Sequence, residues 1–135
     1  MEELRKNLKI LIVDDNETDL ELLEAILVKI GFEQVIPASS GREAFELAKE
    51  HHPGLCFVDV MMPEMTGGEF RELLKESPAT EDIPVIYISG IISKAEESQL
   101  GGQLASGDLI VAKPFSVTSI AEVIVTALKR TGKSY

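Results

Sequence analysis

The sequence predicts an α/β fold, in which one doubly wound parallel sheet carries helices on both faces. Five short apolar runs alternate along the chain with five segments of helical periodicity, which is typical of parallel strands linked by crossover helices. The runs are almost continuously apolar, as expected of strands that helices bury on both faces. At 135 residues, we expect one domain over residues 1–135, with a core from about 8 to 130 and flexible ends.

The first half of the chain predicts two strands and two helices. Lys9–Val13 is an apolar, β-branched run typical of a buried strand, and Leu and Ile at helical spacing then predict a helix from about Asn16 to Ile30. Gln34–Ala38 predicts a second, weaker strand. Ser40–Glu43 has the spacing of a capping box, in which the Ser hydroxyl and the Glu carboxylate accept hydrogen bonds from free amides. The helix that it opens is expected to end before Pro53.

Two further strands and two further capping boxes follow. Leu55–Val58 predicts the third strand and Pro84–Ser89 the fourth. Between them, Thr66–Glu69 has capping-box spacing and opens a helix. Ser93–Glu96 is the third box, but the helix after it meets Gly101–Gly102, and each Gly costs about 1 kcal/mol relative to Ala inside a helix. We therefore expect that helix to be short, bent or partly unwound.

The chain closes with a fifth strand and a fifth helix. Leu109–Ala112 is the last apolar run, and Ser116–Lys129 follows with an apolar stripe at helical spacing. Because crossovers between parallel strands are right-handed, the helices are expected on both faces of the sheet.

The charge balance excludes several classes of partner. Thirteen Lys and Arg residues stand against 23 Asp and Glu, a formal net charge of -10. Nucleic acids and anionic membranes both need clustered basic residues, so neither is an expected direct partner. The single cysteine, Cys56, excludes a disulfide within the chain, and no apolar run approaches the roughly 18 residues of a membrane span. With no signal-type region after Met1, we expect a cytoplasmic protein.

Polar side chains follow four of the five predicted strands. Asp14 and Asp15 come after the first strand, and Asp59 comes after the third. The fourth strand ends in Ser89, and Lys113 follows the fifth. Because ligands of such sheets bind beyond the carboxyl ends of the strands, we expect these side chains to converge on one edge.

The chemistry of this set indicates phosphoryl transfer. Three close carboxylates raise one another's pKa unless a cation neutralises them, and carboxylate oxygens in a wet site suit Mg²⁺. A hydroxyl donor, an ammonium group and a divalent metal are the parts that stabilise a phosphoryl group in transfer. No Gly-rich phosphate loop is present, so a bound nucleotide is not indicated. A carboxylate is then the expected phosphoryl acceptor, forming an aspartyl phosphate.

These residues resemble a known family, the receiver domain of two-component response regulators, and in particular its chemotaxis-regulator-like members. The resemblance covers about Leu8 to Arg130. Each matching segment is a weak signal alone, but all four occur in order, each at a predicted strand end. The segments are Val13-Asp14-Asp15, Asp59-Val60-Met61-Met62-Pro63-Glu64-Met65-Thr66-Gly67, Ile88-Ser89-Gly90 and Lys113-Pro114-Phe115.

The resemblance implies a flavodoxin-like sheet with strand order 2-1-3-4-5 and a phosphoacceptor, Asp59. It implies that Asp15 and Asp59 bind Mg²⁺ directly, with the backbone carbonyl of Met61 as a third protein ligand, and that Asp14 acts largely through water. Mn²⁺ is the expected substitute for Mg²⁺.

The remaining implied roles concern the phosphoryl group and the switch loops. Ser89 would bond a phosphoryl oxygen and Lys113 would pair with the acyl phosphate, with a cis bond between Lys113 and Pro114. This chain departs from the family pattern at Ile110, where many members carry an aromatic ring that moves on activation, and at Gly90, where many carry Ala. The connection from Ser89 to Lys113 is also about two residues longer than usual. These departures bear on the readout face, not on the phosphorylation chemistry.

By resemblance, the leading hypothesis is a phosphorylation switch in a phosphorelay. A histidine kinase or a histidine phosphotransfer protein would phosphorylate Asp59. The domain would then act on a downstream protein or a covalently linked output domain, with a phosphorylation-dependent dimer as one possible form. Slow hydrolysis of the acyl phosphate would reset it. Such a domain catalyses its own phosphorylation and dephosphorylation without being a conventional metabolic enzyme.

Two alternatives remain open. The first is a degenerate receiver that acts as a scaffold without phosphorylation, against which the complete set of acids and Lys113 count. The second is a Mg²⁺-dependent phosphohydrolase with an aspartyl nucleophile. Such enzymes commonly carry a second acid two residues after the nucleophile, where this chain has Met61.

Overall fold

Five parallel strands form one sheet in the order β2-β1-β3-β4-β5. The computed structural model describes residues 2–93, 96–97, 102–104 and 106–131. Each strand is close to its predicted bounds, with β3 longer by Asp59 and β4 shorter by Pro84. The strands are β1 (Lys9–Val13), β2 (Gln34–Ala38), β3 (Leu55–Asp59), β4 (Val85–Ser89) and β5 (Leu109–Ala112). The doubly wound parallel sheet that the sequence predicts is confirmed.

Five helices with defined bounds lie in the described part of the chain: α1 (Glu2–Asn7), α2 (Glu17–Ile30), α3 (Gly41–His51), α4 (Gly67–Lys75) and α5 (Val117–Arg130). Glu96 and Glu97 are also helical, but most of the helix predicted after Ser93, and Gly101 with it, falls outside the described residues. Within the described residues, no helix combines the length and the apolarity needed to cross a membrane.

The helix α1 is not predicted by the sequence analysis. Six residues are too few for a stable isolated helix, so tertiary contacts hold it. Its Leu4 packs against the core, and the backbone carbonyl of Arg5 accepts a hydrogen bond from the Glu33 amide at 3.0 Å. The side chain of Gln34 donates to the carbonyl of Lys6 at 2.9 Å. Hydrophobic periodicity does not register contacts of this kind.

The core has two halves, one on each face of the sheet. In β1, Ile10 and Ile12 pack with α2 and α5 on one face, whereas Leu11 and Val13 pack with α3 and α4 on the other. All four are fully buried, because successive side chains of a strand point to opposite faces and helices cover both. This double burial explains the continuous apolar runs in the sequence.

The predicted capping boxes form in two ways. Thr66 and Glu69 exchange both hydrogen bonds at the start of α4, and the reciprocal pair Ser93 and Glu96 does the same. At α3, Ser40 accepts from the Glu43 amide as predicted, but the Glu43 carboxylate accepts from the amide of Ser39 at 2.8 Å instead of that of Ser40. In the box predicted at Ser40, the hydrogen bond to the Glu43 carboxylate therefore comes from the residue before the predicted donor.

The outward-facing amides of β5, at the edge of the sheet, have partners. The Ile110 amide donates to the carbonyl of Gly102 at 2.9 Å, and the Ala112 amide donates to the carboxylate of Glu97 at 2.5 Å. Gln103 forms an isolated antiparallel bridge with Leu109. The segment that precedes β5 thus folds back along it.

Candidate functional site

The carboxyl ends of the strands bring the predicted residues to one edge of the sheet. The chain order reverses about β1, since β2 lies on one side of it and β3 on the other, which is where such sheets bind ligands. Asp14 directly follows β1, Asp59 is the last residue of β3, and Ser89 is the last residue of β4. Lys113 follows β5 and reaches back across the edge. The side chains of Asp14, Asp59 and Lys113 meet there, and the Ser89 carbonyl accepts a hydrogen bond from the Lys113 amide at 2.8 Å.

Three carboxylates form the acidic side of the site. Asp14, Asp15 and Asp59 each offer an oxygen, and these atoms lie within 4.8 Å of one another. Asp14 is 1% exposed and Asp59 is 6% exposed, whereas Asp15 is open to solvent. Two buried acids and one exposed acid at this spacing fit a divalent cation that keeps part of its water shell.

The ammonium group of Lys113 contacts three carboxylates. Its Nζ lies 2.7 Å from Asp59 Oδ2, 2.8 Å from Asp14 Oδ2 and 2.9 Å from Asp19 Oδ2. Asp59 and Asp14 are expected partners, but Asp19 is not identified by the sequence analysis. An acid in the first turn of a helix is ordinarily explained by the helix dipole, so the sequence carries no separate signal for this contact.

The electrostatics of the cluster follow from burial and pairing. Burial raises the pKa of the Asp14 carboxyl from 3.8 to about 6, and the neighbouring Asp59 adds to the rise, against the adjacent Lys113 ammonium and a hydrogen bond from the Asn16 amide. Burial alone would lower the pKa of Lys113, but its contacts with the carboxylates of Asp14, Asp19 and Asp59 raise it above its ordinary value. Lys113 is therefore a permanent cation, and Asp14 carries a negative charge that the protein alone stabilises poorly.

One buried atom tests whether a cation fits. Asp14 Oδ1 accepts a hydrogen bond from the Asn16 amide at 2.9 Å. Asp14 Oδ2 is buried and accepts no hydrogen bond of good geometry, although it lies close to the Lys113 ammonium. A buried carboxylate oxygen with spare coordinating capacity, beside two further carboxylates, fits a hard divalent cation.

The loops after β3 and β4 present backbone amides to the site. Asp59 Oδ1 accepts a hydrogen bond from the amide of Met61 at 2.9 Å, while the Met61 side chain is 60% exposed. The hydroxyl of Ser89 is buried and accepts from the Ile91 amide at 3.1 Å. A Cβ built at Gly90 would meet only Lys113 Cδ, at 3.8 Å, so space does not require Gly there.

The loop after β3 is held close to the phosphoacceptor candidate by Gly67. The Gly67 amide donates to the carbonyl of Val60 at 3.0 Å, which closes the loop. A Cβ at Gly67 would lie 2.6 Å from the carbonyl oxygen of Asp59, a separation that real Cβ atoms essentially never show. The first residue of α4 can thus approach the backbone of β3 only as Gly.

Two further predicted residues are in place. The Lys113–Pro114 peptide bond is cis, as expected. Ile110 is 3% exposed and belongs to the core half that includes Tyr87 and Phe70. It is a core side chain here.

A family model, a curated relative and two solved structures all match most of the chain, and all are response regulators or their receiver domains. The model of the response regulator receiver domain matches residues 10–125. The polar-differentiation response regulator DivK of Brucella ovis is 34% identical over 119 residues, covering 88% of this chain and 94% of that protein. A response regulator from Desulfuromonas acetoxidans shares the fold with a TM-score of 0.74 and 32% identity, over 90% of this chain and 97% of that one. The chemotaxis protein CheY4 of Vibrio cholerae has a TM-score of 0.74 and 25% identity, over 90% of this chain and 98% of that one.

Proposed function

Because the chain belongs to the response regulator receiver domain family of two-component signalling, we propose that it is a phosphorylation switch whose phosphoacceptor is Asp59. The observation that carries the proposal is the position of the Lys113 ammonium, 2.7 Å from Asp59 Oδ2, at the edge where Asp14 and Asp15 also lie. A carboxylate that contacts a permanent cation and belongs to a cluster of acids able to bind a metal ion is suited to accept a phosphoryl group.

The proposed transfer is a direct displacement at phosphorus. A carboxylate oxygen of Asp59 attacks the phosphorus of a phosphohistidine, a P–O bond forms, and the P–N bond breaks with its electron pair leaving on the imidazole. The Lys113 ammonium stabilises the negative charge on the transferred group, and the Ser89 hydroxyl donates to a phosphoryl oxygen. In the resetting step, water attacks the phosphorus and releases inorganic phosphate, which restores the Asp59 carboxylate.

The acid cluster is proposed to hold Mg²⁺, with Mn²⁺ as a substitute. Asp15 and Asp59 would bind it directly with the Met61 carbonyl, and Asp14 largely through water. Bound there, the ion would neutralise charge on the phosphoryl oxygens. The fit rests on the three carboxylate oxygens within 4.8 Å and on the Asp14 oxygen that lacks a hydrogen bond.

The partners follow from the same proposal. A histidine kinase or a histidine phosphotransfer protein supplies the phosphoryl group, in the cytoplasm, and a downstream protein or linked output domain reads the result. Gly90, Ile110 and Pro114 lie in the elements expected to change between the two states. A phosphorylation-dependent dimer is part of this proposal, and direct nucleic-acid and membrane contacts are not.

The test is phosphorylation by a small donor. We expect incubation with Mg²⁺ and acetyl phosphate or phosphoramidate to add the mass of one phosphate, with no addition in EDTA. Asp59→Asn should abolish the adduct. Asp82→Asn is the matched control, because Asp82 is an exposed acid preceding β4, at the other end of the strands, and should leave the adduct unchanged.

The other outcomes of this phosphorylation test would contradict the proposal or indicate a different function. No adduct with either donor, or an adduct that survives Asp59→Asn, would overturn the proposal. A protein that never forms an adduct yet binds its partner would be a scaffold. Multiple turnovers of phosphate esters would indicate a phosphohydrolase instead.

A further inference from the structure

Among the described residues, Asp19 is the carboxylate partner of Lys113 that lies outside the cation-binding set. The ammonium has three N–H donors and three carboxylate partners, namely Asp14, Asp19 and Asp59, all within 2.9 Å. The acids placed to bind a cation are Asp14, Asp15 and Asp59. Two acids therefore belong to both sets, whereas Asp19, within the described part of the chain, contacts Lys113 without belonging to the cation-binding acids.

This difference matters when a divalent cation enters the pocket. The charge of Asp14 and Asp59 is then shared with the cation, and their attraction for the Lys113 ammonium weakens. A Lys side chain has four flexible torsions and loses their entropy when its end is held in place. Asp19 keeps its full charge for Lys113, so it is the contact that survives cation binding.

The start of α2 fixes Asp19 in this position. The side chain of Asn16 caps the helix and accepts a hydrogen bond from the Asp19 amide at 3.0 Å. The same residue's amide donates to Asp14. Asn16 thus ties the Asp14 carboxylate and the Asp19 backbone to one turn, and the Asp19 carboxylate reaches a lysine 94 residues away in the chain. The helix dipole accounts for an acid in this turn but not for its contact with Lys113.

We propose that Asp19 is a positioning residue, which holds the Lys113 ammonium over the phosphoacceptor once the acid cluster has bound its cation. The expected consequence, slower phosphoryl transfer when Asp19 is replaced, rests on the proposed function. Its structural content, the restraint of Lys113, is testable by itself.

The direct test measures how firmly the carboxylates hold the Lys113 amine, because only an amine that leaves them and loses its proton is acylated. The protein, with saturating Mg²⁺ or with EDTA, is treated at fixed pH with a small amine-acylating reagent, and labelling of the Lys113 peptide is followed by mass spectrometry. Asp19→Asn should raise the labelling rate about tenfold in Mg²⁺, since a hydrogen bond to a charged group is lost. In EDTA the rise should be smaller, because Asp14 and Asp59 still hold the amine.

Two variants separate positioning from a general effect of charge or folding. Asp19→Glu keeps the carboxylate and should restore most of the protection. Glu17→Gln removes an exposed acid from the same first turn and should change nothing. Melting temperatures of all variants within a few degrees of the parent would show that the fold is intact.

The second readout is the phosphorylation rate at saturating Mg²⁺. It should fall about tenfold in Asp19→Asn and recover in Asp19→Glu, in step with the labelling. Unchanged labelling of Lys113 in Asp19→Asn, or increased labelling with an unchanged phosphorylation rate, would overturn the inference. If the parent protein forms no adduct at all, the proposed function fails, while the labelling still decides whether Asp19 holds Lys113.

Discussion

Replacing Lys113 with Met removes the ammonium cation of the site and keeps most of the length of the side chain. At an effective dielectric constant of 20, one contact at 2.8 Å is worth roughly 6 kcal/mol before the cost of desolvation. Breaking a buried ion pair by removing one partner typically costs about 3–5 kcal/mol, because a charge is left buried and uncompensated. Asp14, 1% exposed, is the carboxylate that would bear most of this cost.

Protonation sets a ceiling on that cost. A stranded carboxylate cannot cost more than the free energy of protonating it in the parent fold, which for Asp14, with a pKa of about 6, is about 3 kcal/mol at pH 8 and under about 1 kcal/mol at pH 5.5. The destabilisation is therefore present at high pH and declines as pH falls. We expect Lys113→Met to lose about 2–3 kcal/mol of unfolding free energy at pH 8 and under about 1 kcal/mol at pH 5.5.

Urea denaturation at the two pH values, in EDTA and in saturating Mg²⁺, measures these quantities. Mg²⁺ should recover much of the loss at pH 8, because a cation again neutralises the acids. Lys49→Met is the control, since Lys49 pairs with Glu46 on the surface at 3.0 Å and should cost under about 1 kcal/mol. A variant as stable as the parent at pH 8 in EDTA, or a loss that does not depend on pH, would refute the reasoning.

Three other predictions concern the cation, the close-approach glycine and the cap of α4. The rise in melting temperature caused by Mg²⁺ should grow as pH increases through about 6. Asp14 must lose its proton to favour the cation, and its folded pKa is raised to about 6. A rise that is the same at pH 5 and pH 7.5 would count against cation binding by the acid cluster. Gly67→Ala should destabilise the fold by about 1–3 kcal/mol, since its Cβ would meet the Asp59 carbonyl, whereas Gly68→Ala should stay within about 1 kcal/mol, since its nearest atom is 3.9 Å away. Thr66→Ala should cost about 1 kcal/mol in thermal or urea unfolding, and a cost near zero would mean that the capping box contributes nothing.

The sheet could be predicted from the sequence because its strands are buried on both faces. Burial of that kind requires apolar residues at every position, so Lys9–Val13 and Leu55–Val58 stand out as continuous runs. The helix α1 could not be predicted, because it is held by tertiary contacts with the core, the loop before β2 and Gln34, which leave no periodic signal in the sequence. The prediction for the capping box at Ser40 was wrong in one hydrogen bond, because the Glu43 carboxylate accepts from the amide of Ser39 and not from that of Ser40. The spacing alone does not say which amide the carboxylate reaches.

The site was predictable to the extent that strand ends define it. Asp14, Asp59, Ser89 and Lys113 each lie at or next to the end of a strand, and parallel strands bring their carboxyl ends to one edge. Asp19 lies on a helix, where an acid of the first turn has an ordinary explanation. Only the three-dimensional path of the Lys113 side chain, which ends at Asp19, distinguishes Asp19 from its acidic neighbours.

The backfolded segment at β5 limits how a partner can use this sheet. An open edge strand is a template on which another chain can add a strand, and this is both a route of recognition and a risk of aggregation. At β5 the outward amides of Ile110 and Ala112 already donate to Gly102 and Glu97. At the opposite edge, β2 contains Pro37, which has no amide hydrogen to offer. Strand addition is thus disfavoured at both edges, which leaves helix faces and loops for recognition by other proteins.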